Sequence, residues 1–493
     1  MSTTPIGYAG TSDPGPRRSL AKIALYAVPG VVAKSVHLVL LPVYVGHLGV
    51  AEFGALELWV TSLLLVQSGA DLGWGQALLR FVHEADSPDR LVRALFVTRV
   101  GVFLAVGAGL GAVGFARSAA AVPDPVPVAA LCAFGLFVLR DLLKVYELWM
   151  RAHERARAYA LLQVSYAVLQ LGCVAAALIW LRAGVVGVLA GQLVATVATL
   201  VWLLALGEPR VVRLAGLGSV TRAEWQLARR LLRFGAPLAP SMLAGALIFA
   251  CDRYMLAVLV DDAPLYAVGA YGFAGRIAAT LSVVVSGFTL YFSPYVFRVH
   301  REGDAPQKIA RLGRLYLLAL AAAALALCAV APPLLERIAP AYVGALVVLP
   351  ILLAALLVHY LGGDFAVGLE LGHRTGVRAV ASCAGIALNA LSNLVLIPVL
   401  GIVGAAVSTL IGYVAMALVA VPVSQRVYRV PYPWAAWVAS VVWLLGAGWI
   451  SARSRACGGL HASIGLLVIL LWAWWSADRG WRGRAAARSA TSP

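Results

Sequence analysis

The chain has 493 residues, 62% of them hydrophobic and 12% charged, with a mean hydropathy of +0.88. A soluble fold of this size cannot hide so much apolar surface, so the composition excludes one and describes an integral membrane protein. The formal charge of +17 would suit nucleic acid in a soluble protein, but the basic residues sit in alternate loops, so no nucleic-acid partner is expected.

A membrane-crossing helix needs roughly 20 mostly apolar residues. By that measure fourteen spans are predicted: 21–44, 53–74, 95–116, 126–149, 158–181, 184–206, 234–260, 265–297, 311–331, 343–368, 377–398, 400–423, 434–451 and 460–476. The first has Arg17, Arg18 and Lys22 before it and no clear cleavage site, and reads as a retained span. The ninth is expected to be interrupted at Pro332-Pro333. With both termini cytoplasmic, 29 of the 39 Lys and Arg residues fall in inner segments and only Arg117, Arg182, Arg337, Arg453 and Arg455 in outer loops, the bias that sets membrane orientation. The six cysteines show neither pairing nor metal-ligand spacing and read as small hydrophobes.

Charges inside the spans point to function, because hydrocarbon rejects them unless they face protein or water. Lys34 and His37 share a face of the first span. Asp252 and Arg253 lie in the seventh and Arg276 in the eighth. Two arginines at such depth suggest a wet, cationic cavity. The alternative for Arg276 is an ion bridge to Asp252. The fourth span ends with Arg140, Asp141, Lys144 and Glu147, whose spacing favours pairing within the helix, a gate at the inner mouth being the other reading. Asp71, Asp364, Glu370 and Glu57 stand near span ends as capping, pairing or snorkelling residues. Pro29-Gly30, Pro237 and Pro240 are candidate hinges or simple packing kinks.

The loop Gly207–Arg233 carries Thr221-x-x-Glu224, a capping pattern, then Trp225, Ala228 and Leu232 opposite Arg222, Arg229 and Arg233. It reads as a basic amphipathic helix on the inner leaflet or as a solvated linker. Phe53-Gly54 followed by Ser68-Gly69 matches Tyr271-Gly272 followed by Ser286-Gly287 at identical intervals. Both pairs of spans cross in the same direction, which predicts two six-helix lobes in parallel repeat. The all-α domain plan is then a first lobe over 1–206, a linker over 207–233, a second lobe over 234–425, and two Trp-rich extra helices with a basic tail over 426–493.

Three stretches carry a family resemblance: Phe53-Gly54 through Gly69-Ala-Asp-Leu-Gly-Trp-Gly-Gln-Ala-Leu-Leu-Arg80-Phe81; Leu148-Trp-Met-Arg151-Ala-His-Glu-Arg155 leading to Tyr159; and Pro240 through Asp252-Arg253-Tyr254, then Val268-Gly-Ala-Tyr271 and Pro294. Over roughly residues 20–425 the chain resembles the polysaccharide-biosynthesis flippases of the multidrug/oligosaccharidyl-lipid/polysaccharide exporter superfamily. The resemblance implies two bundles around a cavity that opens alternately to each side, in the plasma membrane. It also implies a polyprenyl-pyrophosphate-linked saccharide as substrate, with polysaccharide-assembly enzymes and membrane lipids as partners. Such a head group needs a hydrated cationic passage. Lys34, His37, Arg253 and Arg276 are the expected contacts, with Asp252, Arg140, Asp141, Lys144 and Glu147 in gating or ion pairing.

Two rivals remain. A multidrug or cation antiporter of the same fold would want deep carboxylates, and Asp252 alone is deep, with Arg253 beside it. A membrane-embedded glycan polymerase or ligase would need a catalytic acid or base on a sizeable outer loop, and the outer loops are short. No phosphate-cradling Gly-rich loop, nucleophile elbow or metal-ligand spacing is present, so neither enzyme activity nor a cofactor or metal is expected.

Overall fold

The computed structural model describes residues 39–71, 125–153, 155–205, 221–235, 239–372 and 374–453, with isolated positions 32, 36, 81, 99, 464, 465 and 468. These residues are helical or in short connections. In lipid every backbone N–H and C=O must be satisfied within the segment, so apolar runs of this length become helices. In chain order they form α1 (Leu41–His47), α2 (Val50–Asp71), α3 (Pro125–Ala152), α4 (Ala156–Ile179), α5 (Gly184–Ala205), α6 (Arg222–Gly235), α7 (Ala239–Leu259), α8 (Pro264–Ala278), α9 (Leu281–Val299) and α10 (Ala305–Ile338). A 3-10 helix (Pro340–Val347), α11 (Leu349–Asp364), α12 (Val367–Leu371), α13 (Thr375–Leu400), α14 (Ile402–Val427) and α15 (Trp434–Arg453) follow. Eight helical segments among the described residues are long and apolar enough to cross a membrane.

Two departures from the sequence expectation stand out. Pro332 and Pro333 do not interrupt the ninth span; they lie inside α10, which continues to Ile338. Membrane helices tolerate proline where neighbouring groups satisfy the carbonyls it frees. The eighth span runs as one apolar segment through Pro264–Thr289, but its regular α-helix is interrupted inside it, α8 ending at Ala278 and α9 beginning at Leu281. There the Thr280 hydroxyl donates to the Ile277 carbonyl at 2.7 Å, tightening the chain into a bend without proline.

The helices gather into two lobes. In the first, α2 packs on α3, α3 and α4 pack on α5, and α4 and α5 form a tight hairpin. In the second, α13 and α14 form the corresponding hairpin, α7 lies along α13, and α11 lies along α14. Both hairpins use glycine for close approach. A Cβ at Gly191 would come 2.9 Å from Val174 Cα, and one at Gly404 would come 2.2 Å from the Leu396 carbonyl oxygen. The turn into α14 passes through Gly401 at φ +56°, where glycine carries no steric penalty. The α15 helix packs outside the second lobe against α10 and α11, with Trp434 and Trp437 around Phe365.

The lobes meet where α2 crosses α7 and α8. Tyr44, Phe53, Phe273 and Tyr342 form an aromatic cluster beside that crossing. The helix α6 rests on the first lobe, burying Ala228 and Leu231 against a cluster with Phe81, Tyr146 and Trp149. Its Trp225 points away and is half exposed, so the apolar face expected to include Trp225 is rotated toward Leu231.

Candidate functional site: the cavity between the lobes

Glu57 stands two turns into α2 and is 2% exposed. A carboxylate so buried persists only with a matched charge and filled hydrogen bonds. Both come from the second lobe. Arg253 Nε on α7 lies 3.1 Å from one Glu57 oxygen, and Arg276 Nε on α8 lies 2.5 Å from the other. Arg253 also donates to the Phe249 carbonyl at 2.7 Å and sits over the Phe249 ring at 3.7 Å. The Arg276 guanidinium lies over Phe53 and Tyr44 at 4.9 and 5.3 Å. Gly272 leaves room for the carboxylate, since a Cβ there would come 2.5 Å from Glu57 Cγ. The three side chains form an ionic lock between the lobes.

Asp252, the neighbour of Arg253, faces the other way. The ion bridge to Arg276 entertained from sequence does not form, because Arg276 is held by Glu57. Asp252 instead accepts hydrogen bonds from Asn389 Nδ2 at 3.0 Å, Asn393 Nδ2 at 2.8 Å, the Tyr271 hydroxyl at 2.7 Å and Thr409 Oγ1 at 2.5 Å. Four neutral donors from α8, α13 and α14 spread its charge and tie the second lobe together.

Next to the lock opens a cavity of about 400 Å³. The first lobe contributes Gln67, Arg140, Gln170 and Gln192, and the second contributes Arg276, Thr280 and Ser282. The bend between α8 and α9 therefore faces the cavity. The spacing within α3 brings Arg140 toward Glu147, but Arg140 makes its hydrogen bond elsewhere. It reaches across to α4, where its Nη1 donates to the Tyr166 hydroxyl and its guanidinium lies 4.9 Å from the Tyr166 ring centre. It is exposed and has no carboxylate within ion-pair distance among the described residues. Its charge is available to the cavity.

Two other charges of α3 make ion pairs outside the helix. Asp141 meets Arg99 at 3.0 Å, Lys144 meets Asp71, and Arg99 reaches Asp71 at 3.6 Å. Glu147 lies one turn from Lys144, close to Arg140, Arg151 and Gln163. Pro240 lies in the first described turn of α7, and residues 236–238 before it lie outside the described residues. Lys34, His37, Pro29, Gly30 and Pro237 lie outside the described residues.

Sequence reasoning thus located both lock arginines but gave Glu57 only a span-end role and Arg140 a local one. It missed the amides altogether. A signal was present: Gln67, Gln170 and Gln192 are polar residues deep in apolar runs, where each needs a partner or water.

The family model described as "Polysaccharide biosynthesis protein" matches residues 19–300. A search of curated protein sequences finds no match. Among solved structures, the lipid II flippase MurJ in an inward closed conformation is similar over 92% of this chain and 99% of that chain, with TM-score 0.69 and 9% identity. An inward-facing multidrug resistance MATE family transporter of the MOP superfamily is similar over 82% and 97%, with TM-score 0.57 and 16% identity. A MOP superfamily transporter from Pyrococcus furiosus, described by a reversed polarity of its binding pocket, is similar over 82% and 95%, with TM-score 0.54 and 16% identity. These likenesses give the fold.

Proposed function

The chain belongs to the polysaccharide biosynthesis protein family, and from that premise we propose that it is a flippase carrying a polyprenyl-pyrophosphate-linked saccharide from the cytoplasmic to the outer leaflet of the plasma membrane. The observation that carries this reading is the Arg140 guanidinium, which has no carboxylate in ion-pair contact among the described residues and faces a cavity where Gln67, Gln170, Gln192, Thr280 and Ser282 stand among apolar side chains. A phosphate held there gains a forked, charge-assisted contact in place of water. The similarity to a lipid II flippase supports the same substrate class. Arg253 and Arg276, expected to meet the pyrophosphate, spend their charge on Glu57 in this arrangement, so they act first as a gate.

The positive-inside bias places both termini in the cytoplasm and the start of α2 and α8 at the outer face. The lock and the α2–α8 crossing then close the outer side of the cavity. Moving a substrate outward requires Glu57 to separate from both arginines, and the phosphate is the anion that can replace it on Arg276. The lipid tail stays in the membrane throughout, and assembly enzymes deliver the loaded lipid on the inner side. A cation-coupled drug antiporter is the second reading, favoured by the buried carboxylate of Asp252 and by the MATE-like fold.

The test is complementation of cells lacking this protein. Wild type restores surface glycan, Arg140→Ala does not at equal membrane abundance, and Arg140→Lys restores it in part. Full export by Arg140→Ala, or drug resistance without glycan export by wild type, overturns the flippase reading.

A further inference from the structure

The cavity holds more amide than charge. Gln67 on α2, Gln170 on α4 and Gln192 on α5 converge on it beside Arg140. Gln170 is 4% exposed. None of the three side-chain amides has a hydrogen-bond partner among the described residues. Each carries both a donor and an acceptor. A buried amide without a partner is costly, and three on one wall make a surface complementary to a ligand rich in hydroxyl or acetamido groups.

Charge narrows the class. Glu57 is spent on Arg253 and Arg276, so no carboxylate among the described residues of this wall remains for a cationic amino sugar. Arg140 is one cation, and a pyrophosphate takes it. An acidic sugar would need a second. We propose that Gln67, Gln170 and Gln192 bind the first sugar of the head group, that this sugar is uncharged, and that Gln170 sets the preference for sugar-bearing lipid over the bare carrier. This rests on the flippase reading above and deepens it. The physical logic is that of any site built to bond a hydroxyl or amide: when the ligand lacks the group, the protein's own polar atoms are stranded.

The experiment measures binding of three lipids to the purified full chain in nanodiscs, by intrinsic tryptophan fluorescence. The lipids are a polyprenyl pyrophosphate, the same lipid carrying one N-acetylhexosamine, and the same lipid carrying one hexuronic acid. Wild type should bind the N-acetylhexosamine lipid about 10- to 100-fold more tightly than the other two. Gln170→Leu should remove that preference while bare-lipid affinity stays within about twofold, and Gln192→Leu should do so in part. Thermal unfolding of each variant checks its fold, and Gln192→Leu carries the test if Gln170→Leu does not fold. Equal binding of all three lipids by wild type, with all binding lost in Arg140→Ala, overturns the sugar inference and leaves the flippase reading standing. A preference for the hexuronic acid lipid overturns the uncharged-sugar assignment. Loss of bare-lipid binding in a folded Gln170→Leu makes Gln170 structural and overturns its role. No binding of any lipid by wild type overturns both readings.

Discussion

Gly54 on α2 and Gly269 on α8 face each other across the lobe boundary. A Cβ on Gly54 would lie 1.9 Å from the Leu265 carbonyl oxygen, and a Cβ on Gly269 would lie 1.9 Å from that of Val50. Each glycine meets the carbonyl four residues before the other, so the two helices run parallel, in register, about a local two-fold axis. Parallel repetition of the lobes produces this relationship, and small residues allow the backbones to approach. Gly54→Ala or Gly269→Ala meets backbone rather than a flexible side chain, so the lobes must part at this end. Overpacking of this kind costs about 1–3 kcal/mol. Cysteines placed near the start of α2 should become more accessible to an impermeant thiol reagent added from outside. Gly69→Ala, with nothing within 4 Å, should change nothing. Unchanged labelling in both crossing variants would mean that this contact does not hold the outer side shut.

The ionic lock gives a second prediction. Glu57→Gln leaves Arg253, 2% exposed, with no paired carboxylate among the described residues, and breaking a buried pair by removing one member costs about 3–5 kcal/mol. Thermal unfolding of the purified protein should show a clear drop. The double variant Glu57→Gln/Arg253→Gln should be destabilised by less than the sum of the singles, by about 0.5–3 kcal/mol of coupling. Strict additivity would dissolve the lock.

Much of this architecture can be read from the chain because the lipid phase is a demanding solvent. An apolar run such as 377–398 has one solution there, and α13 occupies Thr375–Leu400. The repeat is legible only roughly: the sequence match sets Gly54 against Gly272, whereas the crossing sets Gly54 against Gly269 and Gly272 against Glu57. Partners distant in sequence are not legible. Nothing near Glu57 names Arg253 or Arg276, roughly 200 residues away, and Arg140 with its neighbours looks self-sufficient because helical spacing supplies ready local partners. The bend after Ala278 is hidden too, because a threonine hydroxyl makes it where a proline would have announced it.

Asp252 supplies a prediction that ranks two substitutions. Asp252→Ala leaves two amides and two hydroxyls without their acceptor in a buried site, a loss of about 3 kcal/mol or more. Asp252→Asn should cost less, about 1–2 kcal/mol, because the hydroxyls of Tyr271 and Thr409 can turn and accept from the new amide. Thermal unfolding should order the proteins as wild type, Asn variant, Ala variant. An alanine variant as stable as wild type would show that the four donors do not depend on this carboxylate.

The charge knot of the first lobe separates a buried pair from an exposed one on the same helix. Arg99 is 1% exposed and faces Asp141 at 3.0 Å, whereas the Lys144 side chain, paired with Asp71, is 43% exposed. Removing Asp141 takes away the nearer of the two carboxylates beside the buried Arg99 guanidinium. Asp141→Ala should therefore cost about 3–5 kcal/mol, the range for breaking a buried pair. Lys144→Ala gives up a solvated interaction and should cost no more than about 1 kcal/mol. The two variants should also differ in salt response, because ions screen the exposed pair and not the buried one. Raising ionic strength should narrow the gap between wild type and Lys144→Ala in thermal unfolding and leave the gap to Asp141→Ala in place. Equal losses in the two variants, with equal salt dependence, would show that burial does not distinguish these pairs and that the knot is held by something other than its charges.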